Sequence, residues 1–252
     1  MSTPVALATK GLSKSFGSLA VARDIEINLP AGGRYALIGP NGAGKTTLIN
    51  LMTGMLLPDG GEITLEGDDI TGLEPQSRVR RGLARTFQIN TLFPGLNALE
   101  AVTLAVAERR GVAKQFWRNI GDYRESVEEA YAILARLRLG DDCYRPTREL
   151  PYGRQRLLEI ALALATRPKI LLLDEPAAGV PHEESGEIFE AVAGLSDQLT
   201  LLFIEHDMHV VFRFASHIIV LVGGAIYTEG SPAQIAADPG VQEVYLGKRK
   251  HG

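Results

Sequence analysis

The chain of 252 residues carries 26 Lys and Arg against 30 Asp and Glu, and that acidic balance argues against a broad nucleic-acid-binding surface, which needs clustered cations to displace counterions. With 45% hydrophobic residues it is long enough to bury a core as one domain without staples. Its single cysteine, Cys143, excludes an internal disulfide and reads as an inert thiol in a reducing compartment.

The start, MSTPVALATKGLSKSFG, has neither a charged leader nor an apolar run, so the chain is expected to stay in the cytosol. From Val5 to Leu29 apolar and polar positions alternate between turn residues, as in antiparallel edge strands. Arg34 to Ile38 is a short apolar run that stops at a glycine-rich turn. From Lys45 to about Met55 the residues Leu48, Leu51 and Met52 recur at helical spacing.

The turn between them, GPNGAGKTT, fits G-x-x-x-x-G-K-[ST] and lies between strand and helix as that motif requires. Its glycines let the backbone curl so that amide groups point inward at phosphate, beside the positive end of the following helix. Gly39, Asn41, Gly42, Ala43, Gly44, Lys45, Thr46 and Thr47 are therefore assigned to ATP. Within that set Lys45 supplies a cation for the β and γ phosphates and Thr46 a hydroxyl for Mg²⁺.

From Leu99 to Leu139 long, charged, helix-favouring segments predominate, with glycines at 111, 121 and 140 as punctuation. A helical subdomain from about Ile89 to Ala165 follows from this. Phe116, Trp117, Ile120 and Tyr123 share helical spacing inside it and read as core packing rather than a membrane-facing stripe.

Beyond it come two compact apolar runs, Ile170 to Leu173 and Leu201 to Ile204, joined by a helical stretch from Glu183 to Leu195. That alternation predicts a parallel sheet with crossover helices. The most apolar stretches, LLEIALALA from Leu157 and HIIVLVGGAIY from His217, fall short of the roughly 20 residues that span a bilayer and read as buried core. The closing KRKHG is read as a solvated tail.

The run ILLLDEP ends in two carboxylates. Neighbours in a strand point to opposite sides, so Asp174 and Glu175 take separate roles only because the strand ends there. Asp174 is assigned to the Mg²⁺ shell and Glu175 to the water, as general base.

This order of motifs resembles the ATPase subunits of ABC transporters over essentially the whole chain. The resemblance implies an α/β fold in which a P-loop nucleoside triphosphatase core with a parallel sheet (1–88 and 166–252) carries an antiparallel N-terminal β subdomain and an inserted helical subdomain (89–165). It implies further that Phe16, in KSFG, stacks on adenine. Gln88, in RTFQ, contacts Mg²⁺ or water at a hinge, and His206, in FIEHD, touches the γ phosphate. Leu150, Pro151, Tyr152, Gly153 and Arg154 match the family's signature, which binds the γ phosphate held by an opposite subunit. The finer resemblance is to LivG-type subunits of branched-chain amino acid importers, in QRLLEIALAL, DEPAAG, IEHDM and DPGVQEVYLG.

The partners so implied are a second ATPase subunit, transmembrane permease subunits and, indirectly, a solute-binding protein, with the chain peripheral on the inner face of the cell membrane. The cargo expected is a branched-chain or other hydrophobic amino acid. The alternatives are urea, an organic acid or another small solute, or a soluble ABC ATPase without a transport role. Two departures stand out: Pro151 where the signature has serine, and Pro181 where a polar residue follows AAGV. Proline has no hydroxyl and no N–H, so a heterodimer with unequal sites is favoured over a homodimer. Arg154, in place of the usual Gln, is expected to compensate with a cation near the phosphate.

Overall fold

The computed structural model describes residues 4–86, 95–112 and 124–246. Gln88, the aromatic group at Phe116, Trp117, Ile120 and Tyr123, and the KRKHG tail lie outside the described residues.

Two long antiparallel strands open the chain, β1 (Val5–Phe16) and β2 (Leu19–Pro30). They are followed by β3 (Arg34–Ile38), β4 (Gly60–Leu65) and the short β5 (Asp68–Asp69). The first sheet has the order β2-β1-β4-β5. The sequence pattern placed β1 at an edge, but β4 pairs along its second side, so β1 is interior.

The second sheet adds β6 (Leu83–Arg85), β7 (Ile170–Asp174), β8 (Thr200–Ile204), β9 (His217–Val222) and β10 (Ala225–Gly230), in the order β10-β9-β3-β8-β7-β6. All neighbours are parallel except β9 and β10. Unbroken apolar strands such as ILLLD and TLLFI arise because both faces are covered. Alternate residues feed two cores: Leu171, Leu173, Leu201 and Phe203 face one, and Ile170, Leu172, Leu202 and Ile204 the other. Of HIIVLVGGAIY only the first half is core. Tyr227 is exposed because β10 forms the sheet edge.

The first core is shared with α3 (Ala98–Arg109), α4 (Arg124–Arg136) and α5 (Tyr152–Leu164), through Val102, Val106, Leu134, Leu158 and Ile160 among others. Cys143 is buried in the same cluster. Helix α3 starts at a capping box: Asn97 accepts from the Glu100 amide while Glu100 accepts from the Asn97 amide.

Helix α1 (Lys45–Thr53) stops before Met55. Gly54 takes a left-handed conformation at φ 77°, and Arg78, from α2 (Pro75–Arg80), occupies the end of the helix. Arg78 is 1% exposed. It donates to the carbonyls of Leu51 (2.8 Å), Met52 (2.7 Å), Thr71 (2.8 Å) and Leu73 (2.9 Å). The last carbonyls of α1 are thus satisfied by a cation at the negative end of the helix dipole. Burial lowers the Arg78 pKa, against the opposing pull of Asp69 and Glu74. The remaining helices are α6 (His182–Ala193), α7 (Met208–Phe214), α8 (Pro232–Ala237) and α9 (Pro239–Leu246).

Candidate nucleotide-binding site

Strands β3, β8 and β7 are adjacent and parallel, and they end together: Leu37 lies opposite Ile204, which lies opposite Asp174. Their carboxyl ends carry the glycine loop, Glu205–His206 and Asp174–Glu175. In open parallel sheets that end is where ligands bind.

In the glycine loop, Gly42 and Gly44 have φ of 78° and 104°, a region that side chains other than glycine's disfavour. A Cβ on Gly44 would also sit 2.5 Å from the Val21 carbonyl. The loop is tied by the Ala43 amide to the Pro40 carbonyl (3.1 Å) and by the Gly224 amide to the Ala43 carbonyl (2.9 Å). Helix α1 begins at Lys45 with no side-chain cap, leaving its first-turn amides and positive end for a ligand.

Lys45 is 7% exposed. Its ammonium folds onto the loop, donating to the Gly39 carbonyl at 2.8 Å and the Pro40 carbonyl at 3.2 Å. Burial lowers its pKa, while Glu175 and Asp174 act in the opposite direction. Asn41, Gly42 and Thr46 are exposed and Thr47 half-buried. Phe16, 52% exposed, stands at the end of β1 with the Lys14 ammonium 5.9 Å from its ring centre.

The two carboxylates diverge because the backbone turns at Glu175, which adopts φ 49°. For a residue other than glycine this conformation costs about 1–3 kcal/mol and persists only where surrounding contacts enforce it. Here the Glu175 amide is held by the Ile204 carbonyl at 3.1 Å. Glu175 Oε1 lies 2.9 Å from His206 Nε2, so two side chains 31 residues apart meet.

Asp174 is 8% exposed and paired with Arg85 at 2.6 Å. Glu205, also buried, accepts from the amides of Ala177 (3.4 Å) and His206 (3.2 Å), and burial raises its pKa. Neither Arg85 nor Glu205 is singled out by the sequence. Both lie inside quoted motifs, RTFQ and FIEHD, but no spacing marks them, because their contacts depend on strand order.

In the signature segment Leu150 is buried and Pro151 is the N-cap of α5, one residue before the helix starts, with no side-chain cap bond. Tyr152 packs against Gly179, where a Cβ would lie 3.1 Å from the ring. The Arg156 guanidinium stacks 4.9 Å over the same ring and donates to its hydroxyl. Gly153 is buried. Arg154 donates to the Arg138 carbonyl at 2.5 Å and lies 3.7 Å from an Asp142 oxygen. Among the described residues no hydrogen bond or ion pair joins segment 150–154 to the glycine loop.

A phosphate loop on a parallel sheet, acidic and histidine side chains at the adjoining strand ends and a helical insertion define an ATP-binding cassette. Residues 22–178 match the family described as ABC transporter, and the chain belongs to that family: it is an ABC ATPase, hydrolysing ATP to drive transport. Residues 228–251 match the family described as branched-chain amino acid ATP-binding cassette transporter.

The chain is 38% identical over 257 residues to the high-affinity branched-chain amino acid transport ATP-binding protein BraF of Pseudomonas aeruginosa, covering 98% of this chain and 100% of the relative. It is 37% identical over 255 residues to the corresponding LivG protein of Escherichia coli K12, covering 98% and 100%. Among solved structures, the ADP conformation of MJ1267, an ATP-binding cassette of an ABC transporter, superposes with a TM-score of 0.85 at 34% identity, covering 97% of this chain and 99% of that one. No helix among the described residues is long and apolar enough to cross a membrane.

Proposed function

We propose that this chain energises an importer of branched-chain or other hydrophobic amino acids. In this reading it works as a peripheral subunit on the cytoplasmic face of the membrane, beside a second cassette and separate permease subunits that receive solute from a binding protein. The cargo rests on the full-length likeness to BraF and LivG and on the C-terminal match. The chemistry rests on one observation, the in-register convergence of the glycine loop, Asp174–Glu175 and His206 at three adjoining strand ends.

In the mechanism this supports, the Lys45 ammonium leaves the Gly39 and Pro40 carbonyls for phosphate oxygens, exchanging neutral acceptors for charged ones. Phe16 offers its exposed face to the adenine ring. Thr46 and Asp174 are hard oxygen donors. Such a set fits Mg²⁺, which takes its remaining ligands from phosphate and water. When bound, that ion supplies positive charge at the β and γ oxygens.

Glu175 takes the proton of the attacking water, and His206, in contact with Glu175, is placed to sense the γ phosphate. The 89–165 segment relays closure of the dimer to the permeases, a population shift driven by ATP. Pro151 removes a hydroxyl, and Pro181 a polar side chain, from the face that would complete the partner's site, which favours a heterodimer with unequal sites.

Calorimetry of the purified protein with Mg²⁺ and ATP tests the site. Uptake should be saturable in the wild type and lost in Lys45→Ala, and absence of uptake by the wild type at millimolar ATP would overturn the reading. Copurification from native membranes, followed by uptake of leucine against urea in vesicles, tests partners and cargo.

A further inference from the structure

Arg85 ends β6, the edge strand of the parallel sheet. Its guanidinium reaches two elements at once: Nη2 donates to Asp174 Oδ2 at 2.6 Å, and Nη1 donates to Asn50 Oδ1 on α1 at 2.6 Å. The side chain is 13% exposed. Its Nε is buried without a partner. A buried donor left unpaired destabilises the fold, and a buried ion pair is weak evidence for stability. Stability alone therefore does not explain an arginine here, whereas aim does.

We propose that Arg85 is a positioning residue for the metal site. It clamps one oxygen of Asp174 against the phosphate-loop helix, through Asn50, and leaves the other oxygen to the ion. This rests on the assignment of Asp174 to the Mg²⁺ shell and adds to it that the carboxylate is oriented from a third element. Hydrogen-bonded partners of ligating carboxylates commonly set metal affinity by about 10–100-fold. The fork is specific to arginine, since a lysine ammonium presents a point charge and does not span both partners in one plane.

The test compares wild type, Arg85→Gln, Arg85→Lys and Asn50→Ala in two titrations. ATP binding is measured by calorimetry in EDTA, and Mn²⁺ binding to the ATP-saturated protein by electron paramagnetic resonance. Arg85→Gln should weaken Mn²⁺ binding by about tenfold or more while ATP affinity in EDTA stays within about twofold. Arg85→Lys should recover only part of the loss, and Asn50→Ala should show a smaller loss in the same direction. The last variant keeps the Arg85–Asp174 pair and so answers the question even where Arg85→Gln does not fold. Unchanged Mn²⁺ affinity in the variants that fold, or equal weakening of ATP binding with and without metal, would overturn the proposal. A wild-type protein that binds no ATP in either titration would instead sink the nucleotide-site reading on which it rests.

Discussion

Charged groups are deployed differently at the strand-end loops and in the helical segment. At the strand ends Lys45 rests on two backbone carbonyls, and Glu175 on His206, contacts that a phosphate and a water can replace. In the helical segment several of the described cations are engaged by their own subunit. Arg109 and Arg167 both grip Glu129, Arg154 faces Asp142 and the Arg138 carbonyl, and Arg156 is shared between Tyr152 and Glu159. Beside the fixed Arg85–Asp174 pair, the first region holds exchangeable contacts at Lys45 and Glu175; the second spends its charge on cohesion. A site that must bind and release an anion needs the former, and the relay proposed for the helical segment needs the latter.

The contrast is broken most severely at Glu175. Glu175→Gln keeps the shape and the left-handed backbone demand but removes the base, so turnover should fall by about 10²–10⁴-fold while ATP still binds and a closed dimer accumulates. Phosphate release and gel filtration with ATP measure both effects. Normal turnover would take Glu175 out of the role of base.

Next in size is the anchor of α1. Arg78→Ala strips the donor from four backbone carbonyls in a buried setting, and at about 1–3 kcal/mol for each acceptor left unsatisfied the cost should be large, read as a lowered urea midpoint. The helical segment should respond more mildly and with pH. Glu129 is held at a pKa of about 2, below its ordinary 4.5, mainly by its hydrogen bonds with Arg109 and against the effect of burial, with Arg167 adding to the lowering. Because the folded value is depressed, its stabilisation is complete above pH 4.5 and is lost as pH falls toward 2. Glu129→Gln should therefore cost about 2 kcal/mol at neutral pH, a gap that narrows as the urea unfolding series is taken below pH 4.5. A gap independent of pH would show that the ion pairs are not its source.

Much of the first region is legible in the sequence because its constraints are local. The glycine loop needs its spacing within nine consecutive residues, and the apolar runs at 34–38, 170–173 and 201–204 announce buried strands by composition alone. What escaped depends on which strands become neighbours. Arg85 meets Asp174 from 89 residues away in sequence, and Arg78 finds the end of α1 only once α2 has packed there. The interior position of β1 was hidden for the same reason, since no local pattern says that β4 will return to its second side. Arg154 shows a different limit: its charge was plain, but its direction was fixed by acceptors at Arg138 and Asp142.

That direction bears on the smallest and most discriminating prediction, the inequality of the two composite sites. Pro151 caps α5 and Pro181 caps α6, neither with a side-chain bond, and Arg154 rests on acceptors of its own subunit. If a partner's signature keeps its serine, the ATP on this chain's glycine loop is gripped by one hydrogen bond more than the ATP on the partner's. One such bond is worth about 1 kcal/mol, or about fivefold in rate. Blocking the faster site should therefore cost more: Glu175→Gln in this chain should reduce transport further than the matching change in the partner, by about that factor. Pro151→Ser should narrow the difference by restoring the hydroxyl at the N-cap. Equal losses from the two glutamate changes would mean that the prolines are silent and that the two sites fire alike.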